Sequence, residues 1–190
     1  MQFAQCMRRF GSHVTIITHG VRLLEHEDED VSSTLTDILK KEGIALYAST
    51  TINKVHGLSG HEITLHGTVS SQDKLGGNLA EMKVKASHLL LATGRMPNTE
   101  SLALENADIT TTSKGYIAVD SRLRSTSAPD VWAVGDCAGS LHFTHAAYDD
   151  FRIVLSQLSS KSSAVRETTG RQIPFTLFTS LEVARVGPTE

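Results

Sequence analysis

Apolar residues recur along this chain with two different periods, and the change of period divides it. Phe3, Met7 and Phe10 stand at helical spacing with Gly11 as a C-cap, which predicts a helix over 2–10. The β-branched run HVTIIT (13–18) reads as a buried strand. Beyond it, Asp28 and Asp30 stand where a helix N-terminus favours negative charge. Val31, Leu35, Ile38 and Leu39 follow at helical spacing, and Gly43 closes that helix. Residues 44–48 form the next strand. Helix, strand, helix, strand is the rhythm of an α/β layer fold.

Between 50 and 85 the period falls to two. TINKVH, HEITLH and EMKVKA are separated by Gly57, Gly60 and the loop SSQDKLGGN (70–78), the pattern of a small antiparallel meander. HLLLA (88–92) is a continuous apolar strand that breaks at Thr93-Gly94, and 116–119 and 131–134 are further short strands. A helix is predicted from about Thr144 to Leu158, with Ile153, Val154 and Leu158 on its inner face. SSKSSAVRETTGRQ (159–172) has linker composition, and PFTLF begins a new element. A chain that opens on a helix and closes inside a new element is expected to be an internal piece of a longer protein.

Composition narrows the function classes. A chain of 190 residues is one large domain or parts of two. Hydrophobic content of 39% and charged content of 21% are ordinary for a folded protein. A net charge of -3 with a pI near 6.3 argues against nucleic acid or an anionic membrane as partner. No apolar stretch approaches the roughly 20 residues of a membrane span. The opening MQFAQCMRRFGS lacks the layout of a secretory signal, so a soluble cytoplasmic protein is expected. Cys6 and Cys137 are the two cysteines, too far apart in sequence for a disulfide framework or a metal-ligand pair. His56, His61 and His66 recur at a step that fits no helix face and alternates faces on a strand, so no metal site is assigned.

Candidate chemistry gathers at two strand ends. VWAVGDCAG (131–139) runs from an apolar strand into Gly135-Asp136. Ligands of α/β folds collect outside the carboxyl ends of strands. Glycine there admits close approach, and a carboxylate accepts hydrogen bonds from vicinal hydroxyls, as on a ribose or ribityl chain. Asp136 is either such a clamp or a turn and N-cap residue. HLLLATGRMPNT (88–99) is the second place, where a plain turn explains Gly94 and Pro97 but not Arg95 and Asn98. The helix starting near Thr144 could present its positive end to a bound ring, with Ala146 and Ala147 keeping that end open. His142 and His145 lack an evident partner carboxylate, and Asp149 and Asp150 read as serving the helix dipole.

Taken in order, LLLATGRMPNT, VWAVGDCAG, FTHAAYDDFRIV and PFTLFTSLEVARVG closely resemble the FAD-dependent pyridine nucleotide-disulfide oxidoreductases. These are the glutathione reductase, lipoamide dehydrogenase and mercuric reductase group. The resemblance covers nearly the whole chain. It implies a partial two-domain FAD/NAD(P)-binding Rossmann-like α/β fold with a small antiparallel meander. Residues 1–87 would be an NAD(P)-binding domain truncated at its N-terminus, and 88–158 the C-terminal part of the FAD-binding domain. Residues 159–172 would be a linker, and 173–190 the start of a dimer-forming interface domain. Asp136 would bind the ribityl chain of FAD beside Gly135, and His145 and Ala146 would face the flavin pyrimidine edge. Gly94, with Ala92 and Thr93, would mark the crossover from the NAD(P) domain.

On the NAD(P) side, the strand end that carries an acid in NAD-preferring folds offers Thr18 and His19 instead. Arg22 would meet a 2′-phosphate, which favours NADPH. The family's redox pair CxxxxC, both glycine-rich turns and the His-Pro…Glu proton relay are not among these residues. No catalytic residue is therefore assigned, and the 190 residues alone are not expected to hold FAD firmly or to be active. Gln2, Leu181 and Pro188 depart from the family's usual glutamate, proline and apolar residue. The whole protein would be a homodimeric flavoenzyme passing hydride from NAD(P)H through FAD to a disulfide, a thiol-bound metal ion or an oxidant. The competing expectation is a non-catalytic nucleotide-binding or assembly module that has lost the redox site.

Overall fold

A computed structural model describes residues 1–70, 79–159 and 165–189. Residues 71–78 of the predicted SSQDKLGGN loop and 160–164 of the predicted linker lie outside the described residues. The chain forms two compact units, Met1–Ala92 with Pro174–Glu190, and Thr93–Ile173.

The first unit begins with α1 (Gln2–Arg9), followed by β1 (Thr15–Ile17), α2 (Glu29–Lys41) and β2 (Ala45–Tyr47). β1 and β2 pair in parallel, Thr15 opposite Ala45 and Ile17 opposite Tyr47. Parallel neighbours need a crossover, and α2 supplies it. Its spacing turns Leu35 and Leu39 inward to meet Leu23 and Ile44, with Ile16 and Leu46 of the strands packed on that core. The βαβ rhythm expected from the pattern is therefore present.

The meander follows as β3 (Thr50–Gly57), β4 (Ile63–Ser70) and β5 (Leu79–Ala86), antiparallel in that order. Central β4 buries Ile63 and Leu65, and β5 adds Met82. Gly57 closes β3 at φ +98, where a Cβ would stand 2.0 Å from the Glu62 carbonyl oxygen. Only glycine fits that turn. A terminal hairpin of β6 (Phe175–Leu177) and β7 (Val183–Arg185) sets Leu177 and Val183 on the same core as Leu35. Arg185 bonds Glu27 through Nε to Oε2 at 2.7 Å.

The stripe on α1 does not face the core. Phe3 and Phe10 are 66% and 78% exposed, whereas Gln5 between them is buried. Gln5 faces inward because every polar group it buries is met. Its amide nitrogen donates to Glu42 Oε1 at 2.9 Å and to the Ser180 carbonyl at 2.6 Å, and its oxygen accepts Ser180 N–H at 2.7 Å. Arg9 also bonds Glu42, at 2.7 Å, and this holds the Glu42 carboxyl below its ordinary range.

The second unit is mostly turns. Residues 100–102 and 104–107 are short 3₁₀ segments, and α3 (Thr144–Leu158) is its long helix. The expected strands at 116–119 and 131–134 are instead single bridges, Thr111 to Ile117, Val119 to Ser125 and Arg124 to Trp132. HLLLA, within the first unit, is likewise not a strand, and Leu90 and Leu91 are exposed. A strand needs a ladder partner for its backbone groups, and no described residue pairs with 88–92 in that way. α3 buries Ala146, Asp150 and Ile153. Leu158, expected inside, is exposed, and Asp150 takes the inner position because it has buried partners. Gln157 fixes the end of α3 by donating to the Arg122 carbonyl at 2.7 Å.

The packing predicts a sharp contrast between two leucines. Leu35→Ala should lower stability by about 2–5 kcal/mol through transfer and cavity terms. Leu158→Ala should stay within about 0.5 kcal/mol. Urea-unfolding midpoints measure both, and equal shifts would contradict this core.

Candidate functional site

Gly135 opens a 3₁₀ turn, Gly135–Ala138, rather than ending a strand. Gly135 is buried at φ +69, and a Cβ there would lie 3.2 Å from the Cβ of Ala147 on α3. The positive φ favours glycine, and the close approach of α3 adds to that preference. Its N–H donates to Asp150 Oδ2 at 2.7 Å. Asp150 is fully buried, and its Oδ1 accepts Arg171 Nη1 at 2.5 Å. Arg171 also reaches Asp149 Oδ2 and Ser140 Oγ, each at 3.4 Å. The expectation that Asp149 and Asp150 serve the helix dipole is corrected for Asp150. It lies well inside α3, away from the first turn, and holds the turn and Arg171 instead.

Asp136 follows Gly135 and points outward. Its carboxylate is 55% exposed and meets Arg95 Nη1 at 3.6 Å, with the Arg95 side chain 62% exposed. Such a solvated pair contributes little and yields readily to other donors. A cavity of about 300 Å³ lies here, lined by Arg95, Pro97, Asn98, Tyr116, Asp136 and His142. The two motifs read separately in the sequence are thus one place, which explains Arg95 and Asn98 in the ATGRMPN stretch. Gly94 is exposed at φ +123 with open space around it.

At the start of α3, His145 is exposed and its ring stacks on Phe143, centroids 5.2 Å apart. Ala146 is fully buried, so its side chain is part of the core rather than an opening at the helix end. The positive end of the helix dipole lies at this first turn. Cys137 donates weakly to the Val134 carbonyl at 3.3 Å and has no neighbouring thiol.

In the first unit, Thr18 follows β1 directly. Its backbone bonds Tyr47 and Thr50, each at 2.9 Å, and its Oγ1 accepts Gly20 N–H at 3.2 Å. His19 is exposed. Arg22 turns into its own loop, with Nη2 donating to the carbonyls of Glu25 and Glu27 at 3.1 and 3.0 Å. The open cavity beside it, about 760 Å³, is lined by Arg22 itself, His26 and the carboxylates of Glu25, Glu27, Asp28, Glu29 and Asp30. Glu25 accepts Val21 N–H at 3.0 Å, which places a carboxylate close after β1 that strand-end reading missed.

Among the described residues no group of three or more His, Cys, Asp or Glu is placed to hold a metal. His56 and His66 nonetheless meet edge to face at 5.7 Å, on neighbouring antiparallel strands. Step counting along one strand cannot see a cross-strand pair.

Residues 1–150 match the family model described as pyridine nucleotide-disulphide oxidoreductase. Over all of its length the chain is 35% identical to RclA of Escherichia coli (strain K12), described as a pyridine nucleotide-disulfide oxidoreductase, and covers 40% of it. It is 31% identical to dihydrolipoyl dehydrogenase of Bacillus subtilis (strain 168), covering 100% of this chain and 38% of that one. The solved structure of the HOCl-induced flavoprotein disulfide reductase RclA from Escherichia coli superposes with a TM-score of 0.78 at 33% identity, over 99% of this chain and 40% of that one. The chain thus spans about two fifths of the length of these relatives. The α/β, FAD/NAD(P)-binding architecture expected from the sequence is the one these relatives share.

Gly135→Ala should destabilise the protein by about 1–2 kcal/mol, because an L-residue is disfavoured in the left-handed region. Contact with Ala147 adds to this. A fall in the unfolding midpoint reads it, and an unchanged midpoint would mean that the turn can relax away from α3.

Proposed function

The chain belongs to the pyridine nucleotide-disulphide oxidoreductase family, and from that membership we propose that it forms part of a flavin-dependent NAD(P)H oxidoreductase. The second electron acceptor would be a disulfide, a thiol-bound metal ion or an oxidant. Residues 1–87 would belong to the NAD(P)-binding domain and 88–158 to the FAD-binding domain, joined by 159–172 to a dimer-forming segment, 173–190. A cytoplasmic homodimer is the proposed setting. No helix among the described residues is long and apolar enough to cross a membrane.

The observation that carries this reading is the exposed Asp136 carboxylate, set in a cavity on a turn anchored from beneath. A carboxylate so placed fits the hydroxyls of a ribityl chain, since it accepts only and its present partner is solvated. Gly94, Gly135, His145 and Ala146 are the other proposed flavin-site residues. Gly135 serves by shaping the turn, and His145 and Ala146 by presenting the start of α3. When bound, a flavin supplies two-electron chemistry between a reduced nicotinamide and a second acceptor. The chain's own residues orient and hold. Asp136 fixes the sugar chain, and the positive end of α3 favours negative charge beside it.

Thr18, His19 and Arg22 are proposed to lie along the nicotinamide nucleotide site. Arg22 acts there by shaping its loop, so both NADH and NADPH stay open as coenzymes. Sequencing the gene on both sides of this segment separates redox enzyme from non-catalytic module. A flanking CxxxxC and His-Pro…Glu support the enzyme, and an intact gene without either supports the module.

Two measurements test the cofactor contacts, both on protein expressed from the intact gene. Asp136→Ala should weaken FAD binding about tenfold or more, because a hydrogen bond to a charged group contributes about 1.5–3 kcal/mol. Unchanged FAD affinity would reduce Asp136 to a turn residue. Arg22→Ala should lower the melting temperature while leaving the ratio of kcat/KM for NADPH and NADH unchanged. Selective loss of NADPH use would instead restore Arg22 as a 2′-phosphate ligand.

A further inference from the structure

We propose that Asp150 and Arg171 are positioning residues for the Asp136 ligand contact, and that they couple residues 165–173 to it. The inference rests on the flavin reading of Asp136 given above.

A fully buried carboxylate on the inner face of α3 needs a reason. An amide accepting the Gly135 N–H would turn its NH2 toward the Arg171 guanidinium, donor against donor, so only a carboxylate serves both partners. Buried ion pairs are often no more stabilising than apolar side chains of the same size, and their best-attested use is to fix one arrangement against others. Here the arrangement is that of the Val134–Gly135 peptide, one residue before Asp136. Within the turn, Gly139 N–H reaches the Asp136 carbonyl at 3.1 Å and Ser140 N–H the Gly135 carbonyl at 3.3 Å. The 2.7 Å bond to Asp150 is the shorter tether, and it is the one that ties the turn to a rigid helix. Releasing it frees the amide of Gly135 and with it the direction of the next side chain, Asp136.

Arg171 brings a second segment into this arrangement. Its guanidinium is 17% exposed and shared among Asp149, Asp150 and Ser140. Its backbone belongs to a stretch stitched down elsewhere. Thr168 N–H donates to the Ser121 carbonyl at 2.8 Å, and Arg166 N–H to Ser156 Oγ at 3.0 Å. A chain of direct contacts therefore runs from Ser121 through Thr168 and Arg171 to Asp150, Gly135 and Asp136. Coupling between two sites is reciprocal. If Arg171 steadies Asp136, a ligand held by Asp136 must steady the segment that carries Arg171.

The test uses protein expressed from the intact gene, FAD as the probe, and circular dichroism to select folded variants. Asp150→Asn and Arg171→Gln should each weaken FAD binding about tenfold, by analogy with the loss of an outer partner of a metal-ligating side chain. The double variant Asp136→Ala/Asp150→Asn should bind no more weakly than Asp136→Ala alone, because Asp150 acts through Asp136. Arg171→Lys should recover most of the affinity lost in Arg171→Gln. FAD should also slow amide hydrogen exchange over 165–173 in the wild type, and less so in Arg171→Gln. Losses that add in the double variant, or wild-type FAD affinity in both single variants, would overturn the positioning role while leaving the flavin reading intact. A wild-type protein that binds no FAD overturns the flavin reading and this inference with it. Should Asp150→Asn fail to fold, the Arg171 pair decides the same question.

Discussion

A polar group withdrawn from water must find a partner, and two buried polar side chains organise this chain by doing so. Gln5 on α1 satisfies both ends of its amide against Glu42 and Ser180, which ties α1, the end of α2 and the terminal hairpin together. Asp150 on α3 does the same in the second unit, joining the Gly135 turn to Arg171. In each case a helix turns a polar residue inward while apolar residues on the same helix stay outside. Dehydrating an amide or a carboxylate without partners is far more unfavourable than leaving a phenylalanine or leucine in water. The polar residue therefore decides which face of the helix is inner.

The same requirement explains which elements form. β1 and β2 have each other as parallel neighbours, and the meander strands pair along their length with one register shift between Ile52 and Lys54. The runs at 116–119 and 131–134 have the composition of strands but only single bridges. Their backbone groups are met by turns, and this lets the Gly135–Ala138 segment coil and lift Asp136 into the cavity beside Arg95. A continuous strand through 131–136 would have sent alternate side chains to opposite faces. The coiled turn instead buries Gly135 and exposes Asp136, its immediate neighbour, so that one residue anchors and the next can bind.

The family relationship and the site fit together through that division of labour. The relatives are described as oxidoreductases and a flavoprotein disulfide reductase, and an accepting carboxylate on an anchored turn suits a polyhydroxyl ligand. Arg22 shows a divided case. Its Nη2 is taken by the carbonyls of Glu25 and Glu27, whereas its buried Nη1 has no hydrogen-bond partner among the described residues. Residue type names a capacity, and its neighbours determine whether that capacity is available to a ligand.

Much of this was legible without coordinates. Period and punctuation placed α2, the parallel pair, the meander and α3, because those signals are local and their core positions repeat regularly. The ordered motifs ATGR, GD and FTHAAYDDFRIV pointed to the family, which the matching family model and relatives show. Three things were not legible, and each depends on contacts between residues distant in sequence. Asp150 looked like helix-dipole decoration, since nothing near it in sequence reveals that Arg171 neutralises it. The helical spacing of Phe3 and Phe10 did not show that Gln5 is the inner residue, since Gln5 gains that position only from Glu42 and Ser180. Arg95 and Asp136 looked like parts of two motifs, since only the folded chain brings them to 3.6 Å. The sequence determined which elements form wherever hydrogen bonding and apolar period are local. The tertiary structure decided which polar groups are buried and which are free to act, because that choice depends on partners the chain meets only after folding.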